Sequence, residues 1–123
     1  MKSVLLVDDS STILLSMSEI MSKAGFKVET AANGKDALGK LQKGLKPSLV
    51  ITDLNMPMMN GIELITAARK LASLRFTPIL MLTTESQQTM RDQGKKAGAT
   101  GWLVKPVRPE QLLGVVKQVV PGA

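Results

Sequence analysis

Ser48-Leu49-Val50-Ile51-Thr52-Asp53, near the middle of the chain, sets three adjacent apolar residues before a single carboxylate. The run is short, rich in β-branched residues and without polar alternation, which predicts a strand covered on both faces in a parallel sheet. Gly44 and Pro47 punctuate the chain before it, and a loop holding Pro57 and Gly61 follows it. Ile62 to Ser73 then reads as a helix, with Ile62, Leu64, Ile65, Ala68 and Leu71 at helical spacing.

Working outward, the same strand-then-helix unit recurs on both sides. Ser3 to Val7 is an apolar run that meets Asp8-Asp9-Ser10-Ser11, a strand passing into a helix N-terminus. That helix, with Ile13, Leu14, Met17, Ile20 and Met21 on one face, runs to Gly25, a left-handed terminator. Phe26 to Ala31 reads as a strand, Asn33-Gly34 as a turn, and Lys35 to Lys43 as a helix burying Ala37, Leu38 and Leu41. Pro78 to Leu82 is a further buried strand, ending at Thr83-Thr84. Ser86 to Ala97 is helical but weak, since it holds Gly94 and has little besides Met90 and Ala97 to bury. Thr100 to Val104 is the last strand, and Pro109 to Val120 the last helix, with its proline near the first turn.

Strands alternating with helices predict one α/β domain over residues 1–123, a doubly wound five-stranded parallel sheet with five helices. Composition narrows the function. The chain has 123 residues, no Cys and no His, which removes disulfides, thiol nucleophiles, His-containing zinc sites and every triad built on imidazole. Its longest apolar runs, Val4–Val7 and Ile79–Leu82, are far short of the roughly twenty residues of a membrane span. No membrane association and a cytoplasmic location are expected, because the first strand begins too early to leave room for a leader. The net charge of +6 raises nucleic acid as a partner, yet Phe26, Phe76 and Trp102 are the only aromatics, too few for stacking, and no nucleic-acid role is expected.

In such a sheet all strands deliver their C-terminal ends to one edge, where ligands bind. That edge collects Asp8 and Asp9, then Asp53, then Thr83 and Thr84, then Lys105-Pro106. Carboxylates converging without His or Cys call for a hard divalent cation, Mg²⁺ or a close relative by the chemistry of its ligands. With an ammonium and a hydroxyl added, the set describes a place for a phosphoryl group. No Gly-x-Gly-x-x-Gly follows the first strand, and Gly34-Lys35 continues into Asp36, so neither glycine-rich nucleotide motif is present.

Val7-Asp8-Asp9-Ser10, Thr52-Asp53-Leu54-Asn55-Met56-Pro57-Met58-Met59-Asn60-Gly61, Thr83 and Val104-Lys105-Pro106 together resemble the receiver domain of two-component response regulators. The resemblance spans the chain and implies the flavodoxin-like, CheY-like fold with strand order 2-1-3-4-5. It implies Asp53 as phosphoacceptor, with Asp8, Asp9, Asp53 and the backbone carbonyl of Asn55 holding Mg²⁺. Thr83, Thr84 and Lys105 would contact the phosphoryl group, Lys105-Pro106 would be a cis peptide, and Thr83 with Trp102 would form the switch. The donor would be a phosphohistidine on a sensor or chemotaxis histidine kinase.

Since only Pro121-Gly122-Ala123 follows the last helix, the expected output is protein binding by a monomeric stand-alone receiver. Asn55 and Glu85 stand where chemotaxis-type receivers carry residues that tune dephosphorylation, so a flagellar motor switch protein or a phosphatase is an expected partner. The chain is expected to be no enzyme beyond assisting its own phosphorylation and autodephosphorylation. The alternatives are a phosphorelay intermediate or phosphate sink, and a Mg²⁺-dependent aspartyl phosphohydrolase. The latter is disfavoured because Asn55 cannot act as acid and base. Two departures from the family pattern are Trp102, where Tyr or Phe is usual, and Val107, where Phe is common. Trp102 is expected between the weak helix and the last one, and the output surface on residues 86–123, which are basic on balance.

Overall fold

The computed structural model describes residues 2–122. The elements in chain order are β1 (Ser3–Val7), α1 (Ser11–Lys23), β2 (Lys27–Ala31), α2 (Gly34–Gln42), β3 (Leu49–Thr52) and α3 (Gly61–Ala68). A 3₁₀ turn (Ala72–Leu74), β4 (Ile79–Thr83), α4 (Gln88–Ala97), β5 (Gly101–Val104) and α5 (Pro109–Val119) complete them. All strand pairings are parallel and the order is β2-β1-β3-β4-β5, the CheY-like flavodoxin-type arrangement.

Register is what assembles the site. Val7 lies opposite Thr52 across β1 and β3, so Asp8 and Asp53, each one residue further on, leave the sheet side by side. Thr83 lies opposite Val104 across β4 and β5, which delivers Lys105 at the same edge.

Alternation along each strand feeds two apolar layers. Val4 and Leu6 of β1 pack with Met17 and Met21 of α1 and with Leu112 and Val116 of α5. Leu5 and Val7 point the other way, into Ala37 and Leu41 of α2 and Leu64, Ile65 and Ala68 of α3. Burial on both faces holds along β1, β3 and β4, but β2 and β5 keep exposed residues such as Lys27 and Val104, because an edge strand has a neighbour on one side only.

Several boundaries differ from the expectation for identifiable reasons. Asn33-Gly34 is no free turn: Asn33 is the N-cap of α2, its side-chain oxygen accepting the Asp36 N–H at 2.8 Å. Helix α3 stops at Ala68, five residues before Ser73, because the Arg69 side chain collects carbonyls from two other segments, residues 74–77 and Gly98. Its guanidinium donates to Leu74 and Thr77 at 2.6 Å each and to Gly98 at 2.8 Å. Burial pushes the Arg69 guanidinium below its ordinary pKa, because desolvation disfavours the charged form.

Since every helix runs back from the same sheet edge, the helix dipoles are aligned. Acidic residues Asp36, Glu63 and Glu110 occupy first turns, and Lys23, Lys40, Lys95, Lys96 and Lys117 occupy last turns, each complementing its own helix. Helix α4 is the weakly held one: its N-cap Gln87 makes no side-chain cap bond, and Gly94 is its only buried residue.

Candidate functional site

The end of β1 turns directly into α1. Ser10 is the N-cap, its hydroxyl accepting the Ile13 N–H at 3.3 Å, so neither Asp8 nor Asp9 is the cap of α1. Asp8 is buried; one of its carboxylate oxygens accepts the Ser10 N–H at 2.9 Å, and the other accepts the Lys105 ammonium at 2.8 Å. Asp53 is arranged alike. Its Oδ1 accepts the Leu54 N–H at 2.8 Å, and its Oδ2 lies 3.5 Å from Lys105 Nζ. Asp9 stands exposed beside them, and one carboxylate oxygen from each of Asp8, Asp9 and Asp53 falls within 4.8 Å of the others.

At that separation each carboxylate pair repels by about 3 kcal/mol at an effective dielectric near 20. One ammonium against three carboxylates leaves a formal charge of −2 at the sheet edge, the deficit a divalent cation makes good. Donors that are all oxygen, on loops that leave room for water, fit a small hard cation.

The loop between Asp53 and α3 is held from both ends. Asn60 caps α3 reciprocally with Glu63, each side chain accepting the other's backbone N–H at 2.9 Å. Gly61 then approaches the end of β3 so closely that a Cβ there would sit 2.3 Å from the Asp53 carbonyl oxygen and 3.0 Å from the Met81 thioether. Gly61→Ala is therefore expected to displace the Asp53 loop and destabilise the fold by about 1–3 kcal/mol. Urea unfolding checks the cost, and an unchanged midpoint would contradict it.

The remaining expected site residues divide. Thr83 is fully buried, its hydroxyl accepting the Glu85 N–H at 3.3 Å. Thr84 is exposed and lies with Lys105 and Pro106 along a groove of about 440 Å³ beside Ile13 and Met17 of α1. The Lys105–Pro106 peptide is cis. Asn55 is exposed in the loop after Asp53, and the Glu85 carboxylate is turned to the start of α4, accepting the Gln87 N–H at 2.9 Å.

Trp102 is not between α4 and α5. Alternation on β5 sends Leu103 into the α1–α5 layer and Trp102 into the opposite one, against α4 alone of those two helices. There the indole N–H donates to the Glu85 carbonyl at 2.9 Å. The role of the Glu85 backbone was not legible in the residue pattern, because a main-chain group carries no sequence signal.

Fold, register and the carboxylate–lysine cluster define one class, and residues 4–117 match the response regulator receiver domain. The chain belongs to that family. Protein PilH of Pseudomonas aeruginosa is 35% identical over 122 residues, covering 99% of this chain and 100% of that protein. Chemotaxis protein CheY of Thermotoga maritima is 36% identical over 119 residues, covering 96% of this chain and 97% of that one. Among solved structures, chemotaxis protein CheY4 of Vibrio cholerae superposes with a TM-score of 0.92 at 49% identity, covering 97% of this chain and 98% of its own. Among the described residues, no helix is long and apolar enough to cross a membrane.

Proposed function

We propose that this chain is a phosphorylation-operated binding switch of the chemotaxis type, with Asp53 as the acceptor. The observation that carries the reading is the convergence of Asp8, Asp9 and Asp53 within 4.8 Å around an edge that Lys105 neutralises only in part. The Asp8, Asp9 and Asp53 carboxylates and the Asn55 carbonyl would hold Mg²⁺, which when bound neutralises charge on the transferring group.

Asp53 attacks the phosphorus of a phosphohistidine on a partner kinase. The P–N bond breaks, and its electron pair stays on the imidazole nitrogen. Asp53 is suited to this because its carboxylate is oriented by the Leu54 N–H and faces the Lys105 ammonium, which receives the negative charge carried in. Lacking any His, the chain accepts the group and cannot donate it from an imidazole of its own. The protein acts as a switch with no turnover of external substrates, and a cytoplasmic location suits it. Its similarity to CheY proteins supports a kinase as donor and a motor or signalling protein as target.

Incubation with acetyl phosphate and Mg²⁺, followed by peptide mapping, tests the assignment. A single adduct on the peptide bearing Asp53 is expected, and an adduct on Asp8 or Asp9 would overturn it.

Lys105 competes with the metal for the same oxygens. Lys105→Met is accordingly expected to bind Mg²⁺ more tightly by about 1 kcal/mol, roughly fivefold. Calorimetric titration measures this, and weaker binding in the variant would contradict the arrangement. The variant is also expected to lose output-partner binding after labelling, because the charge that senses the phosphoryl group is gone.

A further inference from the structure

Gly94 is a glycine in the interior of α4, with no positive φ to require it. Glycine at such a place weakens a helix relative to alanine, so a reason other than backbone conformation is needed. The reason lies on the next layer: a Cβ at Gly94 would fall 2.7 Å from Cζ3 and 3.1 Å from Cε3 of Trp102. Both atoms belong to the six-membered ring of the indole, the part that a smaller aromatic would not place there.

We propose that Gly94 is the positioning residue for Trp102. The missing side chain is the seat of the indole beneath α4, and the seated indole fixes the β4–α4 loop. The Trp102 N–H donates to the Glu85 carbonyl at 2.9 Å, while the Glu85 N–H donates to the Thr83 hydroxyl at 3.3 Å. One peptide segment is thus held at both ends, by the strand that lines the acceptor edge and by the ring under α4. At that end of the helix Gln87 supplies no side-chain cap bond, and the Gln87 N–H is held by the Glu85 carboxylate at 2.9 Å, so the start of α4 follows Glu85. At its other end α4 is anchored, where Arg69 donates to the Gly98 carbonyl at 2.8 and 3.1 Å. The indole seat therefore sets the position of the free end of α4, and a Thr83 hydroxyl drawn toward a phosphoryl group releases the Glu85 N–H and moves the ring with it. This last step rests on the phosphoacceptor reading; the seat itself does not.

Trp102 is the only tryptophan, so its emission reads the seat directly. In the ligand-free protein, Gly94→Ala is expected to shift emission to the red and raise quenching by acrylamide, with lower resistance to urea. In a Trp102→Phe background the same Gly94→Ala change is expected to raise resistance to urea, because the clashing ring is gone and alanine favours the helix. Emission and quenching identical to wild type in Gly94→Ala, or the same sign of stability change in both backgrounds, would overturn the seat.

Addition of Mg²⁺ and beryllofluoride then tests the coupling. Wild-type emission should change, and Gly94→Ala should lose that change while still accepting a phosphoryl group from acetyl phosphate. An equal emission change in both proteins would overturn the coupling. Absence of labelling in wild type would instead overturn the phosphoacceptor reading and leave the seat standing on the ligand-free measurements.

Discussion

Asp53→Asn is expected to abolish phosphoryl acceptance: labelling from a phosphohistidine donor or from acetyl phosphate should fall by at least about 10²-fold, while the fold is kept. The amide has the size of the carboxylate and can still accept the Leu54 N–H that orients it, so the loop after β3 has no reason to move. What it lacks is the negative charge and the nucleophilic oxygen. Stability should change by no more than about 1 kcal/mol, because the lost attraction to Lys105 is offset by relief from Asp8 and Asp9. Radiolabel transfer and urea unfolding, run on the same preparation, separate loss of chemistry from loss of structure. Labelling of the variant at the wild-type rate would move the acceptor elsewhere.

The second large effect concerns Asp9, the exposed member of the trio. Among the described residues it makes no ion pair, and its carboxylate oxygen lies within 4.8 Å of oxygens of Asp8 and Asp53, so in the protein alone it contributes repulsion. Asp9→Ala is therefore expected to leave stability unchanged or raise it by up to about 1 kcal/mol. If Asp9 serves as proposed, the same change removes one of few protein ligands from a cation held mainly through charge. Mg²⁺ affinity should fall roughly 10-fold to 100-fold, and Mg²⁺-dependent labelling of Asp53 should fall with it. Titration calorimetry with thermal unfolding shows both halves. A variant that binds Mg²⁺ normally, or one that unfolds, would contradict the division of labour between Asp9 and Asp8.

That division explains why the acidic pair could be read as one unit in the sequence and is two different residues in the structure. Asp8 is buried, tied to Ser10 and to Lys105, and supports the turn into α1 as well as the site. Asp9 has none of these bonds. Adjacent identical residues give no hint of which faces inward; the alternation of β1 and its register with β3 decide it.

The central strands were legible because β1, β3 and β4 are covered on both faces and so consist of apolar runs. The edge that carries the candidate site followed from them, since Asp8, Asp53, Thr84 and Lys105 stand directly after β1, β3, β4 and β5. The end of α3 was not legible. Leu71 continues the helical spacing, whereas the chain turns away because the Arg69 guanidinium collects carbonyls as distant in sequence as Gly98. Asn33-Gly34 has the composition of a turn and of a helix cap alike, and only the Asp36 N–H donated to Asn33 separates the two. Gly94 has the same ambiguity. In the sequence it weakens a helix, and in the structure it is the space that Trp102 occupies.

Fluorine NMR of beryllofluoride binding bears most directly on the central claim, that Asp53 and its neighbouring carboxylates form one metal-dependent phosphoryl acceptor. The account predicts bound fluorine resonances in the wild-type protein with Mg²⁺, none without it, and none in Asp53→Asn under either condition. Bound resonances in Asp53→Asn, or in the wild type without a divalent cation, would contradict it.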